Sequence, residues 1–146
     1  MARNNDDSLI PHPRVARLIG FNLQMATLRT IAMARDALAD ADISPARVTA
    51  LALLYMNPGC HQSELGRALA INRASAMKLV NSLARQGLVE RREGRDRRSK
   101  ALHITPAGER VLETALPLVE EADARAARGL EGAARDDLLA ALRQLG

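Results

Sequence analysis

The sequence predicts a mainly α-helical chain with a small β-hairpin, and three observations lead there. First, hydrophobic residues make up 47% of the 146, yet Phe21 and Tyr55 are the only aromatics. The apolar material is Ala, Leu, Val, Ile and Met, which favours a helical, thinly padded core. Second, Ser44-Pro45 and Thr105-Pro106 repeat one helix-opening device, a hydroxyl residue at the cap and Pro at the first helical position. Third, "LVERR" and "KALHIT" are short, partly β-branched pieces separated by a turn containing Gly94, the pattern of a hairpin.

Taken in order, residues 8–40 read as one long helix starting near Pro11 or Pro13. Its apolar residues, from Val15 through Phe21 to Met33, cover much of the circumference, which implies contacts on two sides. Residues 43–59 form the next helix, ended by Asn57-Pro58-Gly59. In 60–71, His61 and Glu64 hold capping-box positions while Cys60 and Leu65 hold those of a hydrophobic staple. Asn72 caps a helix over 73–87 that closes on Gly87. Two short helices joined by a tight turn make a helix-turn-helix, and Gly66 is a small residue where the pair would cross closely. After the hairpin, 106–129 forms a helix that Pro117 should kink or divide. A final amphipathic helix over 131–145 places Leu138, Leu139 and Leu142 on one face.

Charge is concentrated in the middle. Residues 1–60 carry 6 basic and 5 acidic side chains, residues 61–100 carry 10 and 4, and residues 101–146 carry 5 and 8. The hairpin run "RREGRDRRSK" at 91–100 alone holds six basic and two acidic residues, a surplus equal to the net +4 of the chain. A cationic module between neutral and acidic flanks points to a polyanion met by one face. On the helix 73–87, Ala76, Leu79, Val80 and Leu83 share the inward side at 100° per residue. Ala74, Lys78, Asn81 and Arg85 lie opposite, with Ser75 and Met77 at the margins. Amide, hydroxyl, cationic and thioether groups of this kind read base edges in a major groove. Arginines on a stiff finger beside that helix suit a narrow minor groove, and cations at its base suit phosphates. Asp96, which DNA would repel, is expected to pair with a neighbouring Arg and orient it.

Residues 58–109, above all "LVERREGRDRRS" followed by "LHITPAG", resemble the MarR (multiple antibiotic resistance regulator) family of winged helix-turn-helix regulators. The resemblance covers nearly the whole chain. It implies a single domain over 1–146, with a winged helix-turn-helix DNA-binding module at 44–106 flanked by dimerisation helices at 9–40 and 106–146. It implies a homodimer that binds double-stranded DNA at a pseudo-palindromic operator. Carried over by position, Arg73, Ala74, Ser75, Met77, Lys78 and Asn81 fall on the recognition helix, and Arg95, Asp96, Arg97 and Arg98 on the wing. Asp96 and Arg98 match the family's Asp-x-Arg pair, in which the Arg enters the groove. Members mostly repress genes, and release DNA when a small, often aromatic or phenolic, effector binds between the dimer helices and the winged module.

Candidate effector contacts are His12 and Arg17, placed to meet a carboxylate, with Phe21 and Tyr55 as the two rings; residues placed like His12 and Arg17 more often form just the solvated side of a helix. The family's peroxide sensors use a reactive cysteine near the start of the first helix. Here Cys60 sits instead at a staple position and reads as a small buried hydrophobe. Cap and staple roles account for His61, Cys60 and Glu64 without a metal, and no cofactor is implied. His12, His61 and His103 are far apart in sequence, and no HExxH, nucleophile elbow or Gly-rich phosphate loop is present, so no enzyme is expected. No apolar run reaches the roughly 18 residues of a membrane span, and the polar, acidic start is unlike a signal peptide. With a single cysteine, this places the chain in the cytoplasm, away from membranes. The rival readings are a winged-helix protein-interaction adaptor and a non-specific architectural DNA binder.

Overall fold

The computed structural model describes residues 10–93, 100–130 and 132–145. Its helices are α1 (Pro13–Ala16), α2 (Ile19–Ala37), α3 (Pro45–Met56), α4 (Gln62–Ala68), α5 (Arg73–Arg85), α6 (Pro106–Ala126) and α7 (Ala134–Leu142), with a 3-10 turn at Ala39–Ala41. Strands β1 (Val89–Glu93) and β2 (Lys100–Ile104) pair antiparallel, Val89 opposite Ile104 and Arg91 opposite Leu102. The architecture is mainly α with a small hairpin, as the sequence predicts.

The long first helix is in fact two. Leu18 is extended (ψ 129°), and the Asn22 side-chain amide donates to the carbonyls of Ala16 and Leu18, each at 2.8 Å. The bond to Ala16 satisfies a carbonyl that a continuous helix would have paired through its backbone, so the break is tolerated. Pro117, by contrast, does not divide α6, which runs unbroken for 21 residues. Proline removes the donor that would meet the Glu113 carbonyl, but Glu113 and Pro117 are both exposed, and water can solvate that carbonyl. Helices α5, α6 and α7 end earlier than their apolar patterns imply, at Arg85, Ala126 and Leu142. Ser44 holds the N-cap position of α3, yet its side chain makes no cap bond.

Other local devices act as read. Asn72 Oδ1 accepts from the Ser75 N–H at 2.8 Å, and Thr105 Oγ1 accepts from the Gly108 N–H at 3.1 Å. The His61 N–H donates to Glu64 Oε2 at 2.6 Å, the carboxylate half of a capping box. Gly87, at φ +70°, turns the chain from α5 into β1 with no steric penalty.

The core gathers Leu51 and Leu54 of α3, Leu65 of α4, Val80 and Leu83 of α5, Leu102 of β2, and Leu112 and Ala115 of α6. It is centred on the helix-turn-helix and the hairpin base. Segment 59–61 pairs with β2 through Gly59 N–H to the Leu102 carbonyl and Leu102 N–H to the Cys60 carbonyl, which ties the hairpin to α4. At the other end, α2 packs along α6, and α7 contributes no buried residue. No described helix is long and apolar enough to cross a membrane.

Candidate nucleic-acid interface

The helix α5 is seated from behind. Ala76, Val80 and Leu83 are fully buried, Leu79 is half-buried, and Ala74, Lys78, Asn81 and Arg85 are exposed on the opposite side. The division follows from 3.6 residues per turn, and it fixes which groups a partner meets. A Cβ on Gly66 would stand 3.1 Å from the Ala76 Cβ, so the close crossing of α4 and α5 depends on both residues being small. Arg73, Ser75 and Met77 are also exposed, completing the solvent face of the predicted recognition helix.

Two side chains that sequence reasoning passed over, or left as generic cations, hold this helix in place. Arg47 of α3 reaches α5, donating from Nη2 to Ser82 Oγ at 2.6 Å and from Nη1 to Gln86 Oε1 at 3.4 Å. The available signal was that Arg47 is the one charged residue in the otherwise neutral span of α3. Arg91 of β1 donates from Nη2 to Asn81 Oδ1 at 2.6 Å, joining the hairpin to the outer face of α5. Lys78, Asn81, Ala84, Arg85 and Arg91 line a solvent-open cleft of about 530 Å³. Among the described residues no carboxylate forms a salt bridge to its three cations. Arg92 is differently placed, its Nε donating to Glu90 Oε1 at 2.7 Å along the same strand. The wing residues Arg95, Asp96, Arg97 and Arg98 lie outside the described residues.

The four candidate effector contacts are spread over three elements. His12 caps α1, its Nδ1 accepting from the Arg14 N–H at 3.2 Å. Phe21 is half-buried on α2, and Tyr55 is 53% exposed on α3. Arg17 lines an apolar cleft of about 420 Å³ between α2 and α7, with Ile19, Leu23, Leu138 and Leu142. Cys60 is half-buried and packs against the core, and burial pushes its thiol pKa up, with the nearby Glu64 carboxylate acting in the same direction. A thiol held protonated in this way is a weak nucleophile, in keeping with a packing role. No group of three or more His, Cys, Asp or Glu among the described residues is placed to hold a metal ion.

A helix-turn-helix with a cationic outer face, extended by a hairpin anchored to it, is the arrangement found in known DNA-binding regulators. Residues 41–99 match the sequence pattern of the MarR family. The chain is 32% identical to a protein assigned to transcriptional regulation of the hcr operon in Thauera aromatica, over 97% of this chain and 87% of that one. It belongs to the MarR family. Among solved structures it is similar to the transcriptional repressor CouR bound to a 23-mer DNA duplex, at TM-score 0.84 and 31% identity over 93% of this chain and 97% of that one. CouR bound to p-coumaroyl-CoA superposes at TM-score 0.78 and 28% identity, covering 92% and 96%. As a MarR-family protein the chain is a DNA-binding transcriptional regulator.

Proposed function

We propose that this MarR-family regulator is a homodimeric repressor that binds a pseudo-palindromic operator and leaves it when a small aromatic effector binds. The observation that carries the reading is the two-faced α5, whose apolar side closes the core while Lys78, Asn81 and Arg85 stay exposed beside a hairpin cation. In this reading Arg73, Ala74, Ser75, Met77, Lys78 and Asn81 meet base edges and phosphates in the major groove. Arg95, Arg97 and Arg98 of the wing serve the flanking minor groove, with Asp96 steadying Arg98. Two copies would set two recognition helices about one helical turn apart on two-fold symmetric DNA. The second copy would cover leucines that one chain leaves bare, among them Leu138, Leu139, Leu142 and Leu145.

Repression and effector release draw support from the repressor CouR, whose complexes hold a DNA duplex in one case and p-coumaroyl-CoA in the other. His12, Arg17, Phe21 and Tyr55 are proposed to face the effector from the dimer helices and α3. The decisive experiment is binding to DNA from upstream of the gene, beside a scrambled duplex, across a salt series, with and without an aryl-CoA thioester. Tight, sequence-preferring binding that weakens steeply with salt and is reversed by the thioester is the expected result. In the same assay Lys78→Ala should cost about 1–3 kcal/mol per half-site if Lys78 reads a base. Equal weak binding to both duplexes would indicate an architectural DNA binder, and no binding at low salt an interaction adaptor.

A further inference from the structure

The bond between Arg91 and Asn81 has a consequence for what α5 reads. A guanidinium carries donors only, so the Asn81 amide must turn its oxygen to Arg91, and the 2.6 Å contact is to Oδ1. The Nδ2 group, with two donor hydrogens, is then the end of the amide left for DNA. Pairing of an asparagine with adenine needs that same oxygen to accept from the adenine amino group while the amide donates to N7. Oδ1 keeps a second lone pair, but Arg91 competes for the oxygen and fixes the orientation of the amide, which disfavours that two-bond geometry. Guanine instead presents two adjacent acceptors, N7 and O6, and thymine a single one beside a methyl group. Donors are what this end of α5 supplies: Asn81 Nδ2, the remaining N–H groups of Arg91, and the ammonium of Lys78 in the same cleft.

We infer that Arg91 is a specificity-determining positioning residue, which holds Asn81 as a donor so that this turn of α5 selects guanine. The inference rests on the proposed DNA-reading role of α5 and deepens it. Arg91 acts here through Asn81 from the position on β1 between Glu90 and Arg92, and the Arg92 guanidinium is turned along the strand to Glu90 instead.

The test uses a duplex selected from a random library by the wild-type dimer, with each guanine of a half-site replaced in turn by 7-deazaguanine, which lacks the N7 acceptor. Wild-type protein should lose about tenfold in affinity at one position per half-site, the size of one good base contact. That sensitivity should vanish in Asn81→Ala, and also in Arg91→Lys, which keeps the charge but not the planar fork. Asn81→Asp keeps an acceptor for Arg91 and removes the donor, so it should lose the sensitivity too. All three side-chain changes are at exposed positions, and thermal melts would verify folding; if one variant failed to fold, the other two would still decide the matter.

Because Arg91→Lys preserves charge, the salt dependence of binding should not change. Full 7-deazaguanine sensitivity in Arg91→Lys would overturn the inference. So would an equal loss on every sequence, the mark of a phosphate contact, or a relaxed preference at an A·T pair in Asn81→Ala. A wild-type protein that selects a duplex without such a guanine contradicts this inference alone. One that selects no duplex contradicts the proposed function, and the inference falls with it.

Discussion

The winged module and the terminal helices treat their apolar residues in opposite ways. In the module, Leu51, Leu54, Leu65, Val80, Leu83 and Leu102 are fully enclosed, and what remains outside on α5 is polar or cationic apart from Ala74 and Met77. At the ends, α2 buries only Ala34 and α7 buries nothing, while Leu18, Ile19, Leu28, Leu138, Leu139 and Leu142 stand in solvent. One chain therefore completes its reading head and leaves its ends unfinished. Exposed apolar surface of this extent is the signature of an interface. The charge follows the same division, with the cationic surplus in 61–100 and an acidic excess after residue 100. On the proposed function, polyanion recognition and self-association would use different ends of the molecule.

Substitutions can break this contrast. Leu83→Ala removes a fully buried side chain from the module, and should lower unfolding free energy by about 2–5 kcal/mol in a denaturant titration. Leu142→Ala at a 37% exposed position should leave a single chain's stability within about 0.5 kcal/mol. It should act instead on the concentration at which dimers dissociate, read by sedimentation. Equal losses of intrinsic stability at both sites would erase the distinction.

The joint between the two regions is Gly108, where the first turn of α6 meets the base of the hairpin at Leu88 and Ile104. A Cβ there would overlap the Leu88 carbonyl oxygen and stand 2.7 Å from Ile104 Cγ1. Gly108→Ala should therefore destabilise by roughly 1–3 kcal/mol despite its better helix propensity, measured as a shift of the thermal midpoint. A neutral result would mean that α6 can shift freely against the module. The smallest effect is expected at Ala70, in the turn between α4 and α5, which lies at φ +51°. Relief of left-handed strain at about 1–2 kcal/mol is partly offset by the flexibility of glycine, so Ala70→Gly should stabilise by roughly 0.5 kcal/mol.

The parts legible in the sequence are those governed by short-range rules. The two faces of α5 follow from its 3.6 period, and the starts at Asn72 and Thr105 from capping chemistry confined to a few residues. The break at Leu18 was hidden because the apolar run continues through it, and the amide of Asn22 that supports it leaves no periodic trace. Pro117 does not divide α6, since its cost depends on whether the freed carbonyl meets water, which only the packed structure decides. Arg47 and Arg91 act across 35 and 10 residues of sequence respectively. Nothing local marks their partners, although composition did locate Arg91 in the cationic hairpin.

On the proposed function, the reading head is complete in one chain but operator binding needs the joined ends. Sedimentation equilibrium of the full chain and of a form ending at residue 130, each paired with operator titration, tests it. The full chain should be a dimer that binds with sequence preference, and the shortened form a folded chain that dissociates and loses specific binding. A shortened form that stays dimeric and binds the operator normally would contradict the account.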